Sequence, residues 1–336
     1  MSLSVVSNEL IVLAAPTTKY YEKVENDIID FQTRYAEKII DNGDKVIILS
    51  DQKNYSKYAK AIDVSNILLC PMKDIWMRDF TLVNPINPLI FRYTAAGQGG
   101  GKKGQYLADE VQNDFYGLVK DANLSFVETN LLNDGGNWVD DYSGNIVISR
   151  KFLNDNNLLE KDAKEVLKSL VSVNNIAFIE ADEQGGLEHA DGVVSFIDYN
   201  TLVINSYPYD KTYSKKLKED LKRGLPKVAI HEIITSYDDS DIYDESFGSA
   251  CGIYTNMLVT ESSIYFPQFD IPEDKIALKQ IKSMTSKIKS MTSKKIIPVM
   301  SSQICKMGGG VRCMSLQIRG DNKEKLVEFL KNKQKK

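Results

Sequence analysis

The chain has 336 residues, 43% hydrophobic and 26% charged, with 42 Lys and Arg against 46 Asp and Glu for a net charge of −4. That composition belongs to a globular protein with a full core, in one large or two ordinary domains, and it gives no footing for nucleic acid. Cys70, Cys251, Cys305 and Cys313 form no CxxC pair and the histidines are only His189 and His231, so no structural metal site is expected. The apolar run Leu10–Ala15 is too short to span a bilayer, and no Lys or Arg precedes Lys19. A cytoplasmic protein with reduced thiols is therefore expected, without a membrane partner.

In chain order, Leu10–Ala14 reads as a buried strand. Tyr21, Val24, Ile28, Phe31, Tyr35 and Ile39 recur at three or four positions, which predicts an amphipathic helix over about Thr18–Asp41. Asn42-Gly43 stops it, and Lys45–Leu49 and Ile67–Cys70 are further strands. The polar Met72–Asp79 leads to a strand pair, Thr81–Asn84 and Leu89–Tyr93, around Pro85–Pro88. Gly97–Gly104 lacks a GK[ST] element and a preceding Rossmann strand, so it reads as a mobile rim loop before a helix of about Gln105–Lys120.

Strand Ser125–Glu128 precedes the polar Asn133–Trp138, the pair Trp138–Tyr142 and Asn145–Ser149, helix Glu160–Val171 and strand Ile176–Ile179. The polar Gln184–Asp191 opens the next unit, with the pair Gly192–Ile197 and Thr201–Asn205, helix Lys211–Arg223 and strand Lys227–Ile233. His231, at the end of that apolar strand, reads as structural. After the acidic loop Tyr237–Glu245, Ser249–Asn256 opens the pair Ile253–Thr260 and Ser263–Pro267. Helix Pro272–Ile288 contains Ser283–Lys287, nearly repeated at Ser290–Lys294, and strand Ile296–Val299 follows. The stretch Gly308–Gln317 sets three glycines before an alternation of strand period that carries Cys313. The tail Lys331–Lys336 reads as a frayed, solvated helix end.

One unit recurs: strand, polar glycine-containing segment, strand pair, helix. Asp79, Asp134, His189, Asn256 and Cys313 occupy its matching point, 55, 55, 67 and 57 positions apart. A near-constant period marks an array of like units, and units that cannot bury their own faces close into a ring. The expectation is one α/β domain over residues 1–336, a five-bladed pseudosymmetric α/β propeller, with its polar segments converging on the axis. The N-terminal strands would complete the last unit beside Cys313.

A lone cysteine is more often a small buried hydrophobe, and Asp134-Gly-Gly-Asn137 alone is an ordinary turn. Trp76 alone is core, Asp79 alone is a partner for Arg78, and Asn256 is the weakest signal. Together they describe a thiol, an imidazole and several carboxylates, the parts of cysteine nucleophilic catalysis with acid/base help. His189 and Asp191, two apart, share a face of an extended segment. Asp79, Asp134 and Asp191 around one cavity call for a cation, and a planar guanidinium suits carboxylates better than an ammonium does.

Trp76-Met-Arg-Asp79, Asp134-Gly-Gly, His189-Ala-Asp191 and Gly308-Gly-Gly-Val-Arg-Cys313, in that order, resemble the agmatine deiminase and bacterial peptidylarginine deiminase family of guanidine-modifying (pentein) proteins. The likeness spans roughly Trp76 to Gln317, and the family fold is the five-bladed α/β propeller. The resemblance implies Cys313 as nucleophile and His189 as general acid/base, with Asp79 and Asp191 clamping the guanidinium. It places Asp134 at the acidic position of the second segment and Trp76, Asn137 and Asn256 around the substrate. It implies an S-alkylthiouronium intermediate, a ureido product, a small guanidine as partner, and no cofactor or metal. A homo-oligomer is left open.

The sequence departs from the pattern at Phe80-Thr81, where Gly-Pro is usual, at Glu188, where Gly precedes H-x-D, and at Arg312, where His often precedes the cysteine. Asp134-Gly-Gly-Asn137 and Tyr254-Thr-Asn256 lean towards the peptidylarginine type. The segment Arg92–Gln105 has no arginine after Arg92 to meet a substrate carboxylate, and Glu188 and the Asp238–Glu245 loop suit a dication. Agmatine is the substrate this favours, giving N-carbamoylputrescine and ammonia. The alternatives are a C-terminal or free arginine, amidino transfer to an amine, and a non-catalytic binding scaffold.

Overall fold

The computed structural model describes residues 9–182, 186–237, 242–287 and 294–334. Ser290–Met291–Thr292–Ser293 of the near-repeat, Gln184 and Gly185, residues 238–241 of the acidic loop and residues 335–336 of the tail lie outside them.

Strand Glu9–Ala14 is buried at all six positions and pairs on both edges. It runs parallel to Lys45–Ser50 and antiparallel to Leu316–Arg319, and Lys45–Ser50 is parallel to Ile67–Leu69. A strand enclosed on both faces has no solvent side to alternate with, which is why Leu10–Ala14 is an unbroken apolar run. The pairing also joins the two ends of the chain, so the strand after Cys313 is completed by the first strands of the sequence. Glu9 sits under that join and accepts from Gln317 Nε2 at 2.8 Å, with Arg319 as its ion partner.

Three further units share one plan. A hairpin is followed by a helical crossover, and the crossover returns a third strand parallel to the second, as a crossover of that length requires. The sets are Val139–Asp140, Asn145–Ser149 and Asn175–Ile179; then Val194–Asp198, Thr201–Asn205 and Ala229–Ile233; then Leu258–Val259, Ser263–Gln268 and Lys295–Met300. In the remaining unit Leu89–Arg92 runs parallel to Val127–Leu132. Among the described residues there are thus five sheets. The α/β pentein fold implied by the resemblance is the fold observed.

Helix Glu25–Asp41 buries Ile28, Phe31, Tyr35 and Ile39 to 1% exposure or less. Each such side chain contributes about 1.5–3 kcal/mol by leaving water, and truncating Ile28 to Ala would cost about 2–5 kcal/mol. The helix begins later than Thr18. Tyr21 instead closes a short 3-10 turn, Lys19–Tyr21, whose phenol donates to Asp74 Oδ1 at 2.6 Å and fixes it to the wall of the central cavity.

Four other expectations change. Thr81–Asn84 is not a strand, because two prolines remove donors nearby and Asn84 Oδ1 accepts from Ile86 N and Asn87 N, both at 2.8 Å. Only Val83 N, donating to Leu89 O at 2.9 Å, survives of the expected pairing. The second half of Gly97–Gly104 is not a loop: helix Gly101–Asp121 starts inside it, after Gly99 and Gly100 at φ 84° and 73°. Ile253–Thr260 and the residues around Cys313 are turns, with strands confined to Leu258–Val259 and Leu316–Arg319. His231 stands exposed in the middle of strand Ala229–Ile233 rather than at its end, and it does not line the central cavity.

Cys251 and Cys305 are joined by a disulfide, 54 positions apart, which corrects the expectation of four reduced thiols. Cys70 and Cys313 are free. No helix among the described residues is long and apolar enough to cross a membrane.

Candidate active site

Each polar segment makes a tight turn before its hairpin, and these turns meet. Asp79 N donates to Trp76 O at 2.9 Å, closing the first turn. Asp134 precedes the 3-10 turn Gly135–Asn137, and His189 precedes the matching turn Ala190–Gly192. The two glycines after Asp134 are needed for close approach. A Cβ on Gly135 would lie 1.9 Å from Arg78 O, and one on Gly136 would lie 2.4 Å from His189 Nδ1. With no side chain in the way, Gly136 N donates to Asp79 Oδ1 at 3.0 Å. The final glycines act alike: a Cβ on Gly309 would meet the Trp76 ring at 2.3 Å, and one on Gly310 would meet Asn256 Oδ1 at 2.7 Å.

His189 lies between two carboxylates, with Nε2 3.0 Å from Asp134 Oδ2 and Nδ1 3.7 Å from Asp79 Oδ1. Burial opposes charging the ring, but the fields of Asp79 and Asp134 prevail and push its pKa up to about 10. Burial raises Asp79 to about 7; His189 opposes that rise, and the carboxylates of Asp134 and Asp191 add to it. Asp134 is locked by Thr94, whose N–H and hydroxyl both donate to it at 2.9 Å.

Cys313 is 7% exposed, and Asn256 Nδ2 donates to its Sγ at 3.1 Å. Burial first, then Asp191 and Asp79, hold the thiol well above its ordinary pKa. Asp191 Oδ2 lies 4.0 Å from the sulfur, and Arg312 Nη1 pairs with that same oxygen at 2.7 Å. Arg312 Nη2 donates to Trp138 O at 2.7 Å, so this guanidinium is fixed beneath the site. Arg78 does not pair with its neighbour Asp79. It reaches Gln317 Oε1 at 3.0 Å, while its backbone N–H donates to Cys313 O at 3.0 Å.

The resulting cavity has a volume of about 1160 Å3 and is lined by Trp76, Asp79, His189, Asp191, Asn256 and Cys313, among others. Asp134 and Asn137 lie behind its wall. Asp134 supports His189, and Asn137 Oδ1 accepts from Ser149 N at 2.7 Å and Ala190 N at 3.3 Å. Glu188 has φ 53°, a left-handed backbone where glycine is the unstrained residue. Two features were not assigned a role from sequence. Arg312 was visible only as a departure from pattern, and Thr94 left no signal because a threonine at the end of a strand is unremarked in any pattern.

A buried thiol and a charged imidazole lining one cavity with carboxylates can add sulfur to a cationic carbon and protonate what leaves. Residues 5–318 match the profile of the Porphyromonas-type peptidyl-arginine deiminases. The chain belongs to that family. A relative provisionally named an agmatine deiminase, from Marinomonas sp. (strain MWYL1), is 25% identical over 309 residues, 82% of each chain. The solved agmatine deiminase of C. jejuni has 19% identity, 94% coverage of each chain and a TM-score of 0.74. That of Enterococcus faecalis has 15% identity, 93% coverage of each and a TM-score of 0.72. As a member of the peptidyl-arginine deiminase family, the protein is a pentein-fold hydrolase of C–N bonds that deiminates guanidines.

Proposed function

We propose that the substrate is agmatine, converted to N-carbamoylputrescine and ammonia, with Cys313 as nucleophile, His189 as acid and base, and Asp79 and Asp191 as the guanidinium clamp. The observation that carries the choice of substrate is the charge of the cavity wall. Asp74, Glu110, Asp182, Asp210 and Asp244 line it. Apart from the catalytic His189, its basic side chain among the described residues is Lys73, which is already 3.1 Å from Asp114 and 3.8 Å from Glu110. A free or C-terminal arginine brings a carboxylate into that field, whereas agmatine brings a second cation. Lys102 and Lys103, an alternative grip for a carboxylate, stand exposed on helix Gly101–Asp121 and do not line the cavity.

The resting thiol is protonated because burial disfavours a thiolate and the carboxylates around it repel one. A guanidinium bound between Asp79 and Asp191 cancels that field, so the thiol loses its proton to solvent as substrate arrives. Sulfur then bonds to the guanidinium carbon. His189, already an imidazolium, protonates the departing nitrogen, and the C–N bond breaks to release ammonia. The neutral ring left behind takes a proton from water, whose oxygen attacks the thiouronium carbon. The C–S bond then breaks, the proton of the added hydroxyl passes to the departing sulfur, and a ureido product and the Cys313 thiol remain.

A second reading, a C-terminal arginine of a peptide, is favoured by the 1160 Å3 volume, which exceeds what agmatine needs. Steady-state formation of ureido product from agmatine, arginine and peptides ending in arginine tests the choice. The highest kcat/KM for agmatine is expected, and a higher value for the peptide overturns it.

A further inference from the structure

On the wall of the same cavity stands a carboxylate that the chemistry above does not use. Asp182 Oδ2 accepts from the phenols of Tyr207 at 2.7 Å and Tyr237 at 2.5 Å. Its Oδ1 takes no hydrogen bond among the described residues, and no lysine or arginine pairs with it there. Three aromatic rings stand around it. Tyr207 and Tyr213 meet edge-on with centroids 4.7 Å apart, and Tyr207 and Tyr237 are stacked at 6.5 Å. Asp182 and all three tyrosines line the cavity that holds Cys313.

The cluster is tied to the catalytic floor. Gly192, next to Asp191, offers its carbonyl to Asn205 Nδ2 at 2.6 Å. The same Nδ2 lies 3.5 Å from the Tyr207 hydroxyl and 3.4 Å from that of Tyr237. Those hydroxyls donate to Asp182. A short polarised chain therefore runs from the segment of Asp191 to Asp182, and Thr255 braces it by donating to Asn205 Oδ1 at 3.0 Å. The chain ties two carboxylates of one cavity, Asp191 and Asp182, to a common set of hydrogen bonds.

We propose that Asp182, with the rings of Tyr207, Tyr213 and Tyr237, forms a second cation subsite that receives the primary ammonium of agmatine while Asp79 and Asp191 hold its guanidinium. The proposal rests on the agmatine reading and deepens it. An ammonium suits the place physically. It needs a carboxylate oxygen with a free lone pair, and it gains from ring faces in a partly desolvated wall. A guanidinium would seek two coplanar acceptors, and here Oδ2 is already taken by two phenols. The phenols keep their protons, since burial and then Asp182 hold both well above the ordinary tyrosine pKa. They thus fix the carboxylate without competing for the cation.

The test compares agmatine with n-butylguanidine, which has the same guanidinium and no amine. In the wild-type protein agmatine is expected to have the higher kcat/KM. In Asp182→Asn the agmatine-to-butylguanidine ratio of kcat/KM should fall about tenfold or more, through KM for agmatine. Tyr207→Phe with Tyr237→Phe keeps the rings and removes the bonds that orient the carboxylate, and should lower the ratio by a smaller factor. Thermal unfolding of each variant confirms that it is folded. If wild type prefers agmatine and Asp182→Asn keeps the full preference, the subsite is wrong while the agmatine reading stands. If wild type shows no preference for agmatine over butylguanidine, or prefers the arginine peptide, the agmatine reading falls and takes the subsite with it.

Discussion

At the floor of the cavity Cys313, Asp79 and Asp191 are 7%, 8% and 1% exposed, and each is held by a partner from another polar segment. At the rim Tyr20, Tyr237 and Tyr106 are 43%, 48% and 63% exposed, and the partners of Tyr20 and Tyr237 are carboxylates at the water's edge. The floor perturbs its own ionisations, because its charges are desolvated and a few ångströms apart. The rim leaves its acids in water, where they attract and orient a cation but alter no bond. The chemistry is therefore placed in the part that cannot relax, and substrate choice in the part that meets solvent.

The contrast can be broken most severely at the sulfur. Cys313→Ala should lose at least about 10^4-fold in turnover, as removal of a nucleophile does, while still folding and binding agmatine by calorimetry. Appreciable activity in a clean preparation would overturn the assignment. Next in size, Asp79→Asn and Asp191→Asn should each cost about 3–5 kcal/mol of transition-state stabilisation, because a desolvated cation is left with one partner; kcat/KM measures it.

Arg312→Gln should cost less, about 10- to 100-fold, and Arg312→Lys should recover part of the loss. Arg312 orients Asp191 through the 2.7 Å contact to Oδ2, so the loss in the Gln variant should appear in kcat/KM for every guanidine substrate alike. A fall in thermal stability with unchanged kcat/KM would make Arg312 merely structural.

The pH profile itself follows from two groups. Asp79 must be ionised to hold the substrate, so kcat/KM rises through about pH 7, and His189 must be protonated to release ammonia, so it falls above about pH 10. Asp134→Asn removes one of the charges that raise His189, and should draw the alkaline limb down while leaving measurable turnover. The smallest effect belongs to the rim. Asp244→Asn, which loses a carboxylate bonded to the Tyr20 hydroxyl at 2.8 Å, should change KM for agmatine by a few-fold and kcat little. A collapse of kcat there would erase the distinction between floor and rim.

The sequence by itself determined the floor. Asp79, Asp134, His189, Asn256 and Cys313 recur at one point of a repeated unit, Asp191 follows two positions after His189, and the glycines beside them have a reason in space, since a Cβ at Gly136 or Gly309 would strike His189 or Trp76. It also placed the strand at Leu10–Ala14, whose unbroken apolar run reflects enclosure on both faces. Tertiary structure alone decided the rest. Cys313 and Asn256 lie on turns rather than strands, because backbone bonds from Arg312 N to Asn256 and from Met314 N to Gly310 O replace a ladder. Asp134 turns to His189 and Asp191 to Arg312 because their neighbours in space come from segments 55 and 121 positions away. The joining of Cys251 to Cys305, and of Asp182 to Tyr207 and Tyr237, has the same origin. Local periodicity reports which face of an element is buried, whereas a hydrogen bond between distant segments depends on how the units close upon one another, and no window of sequence carries that distance.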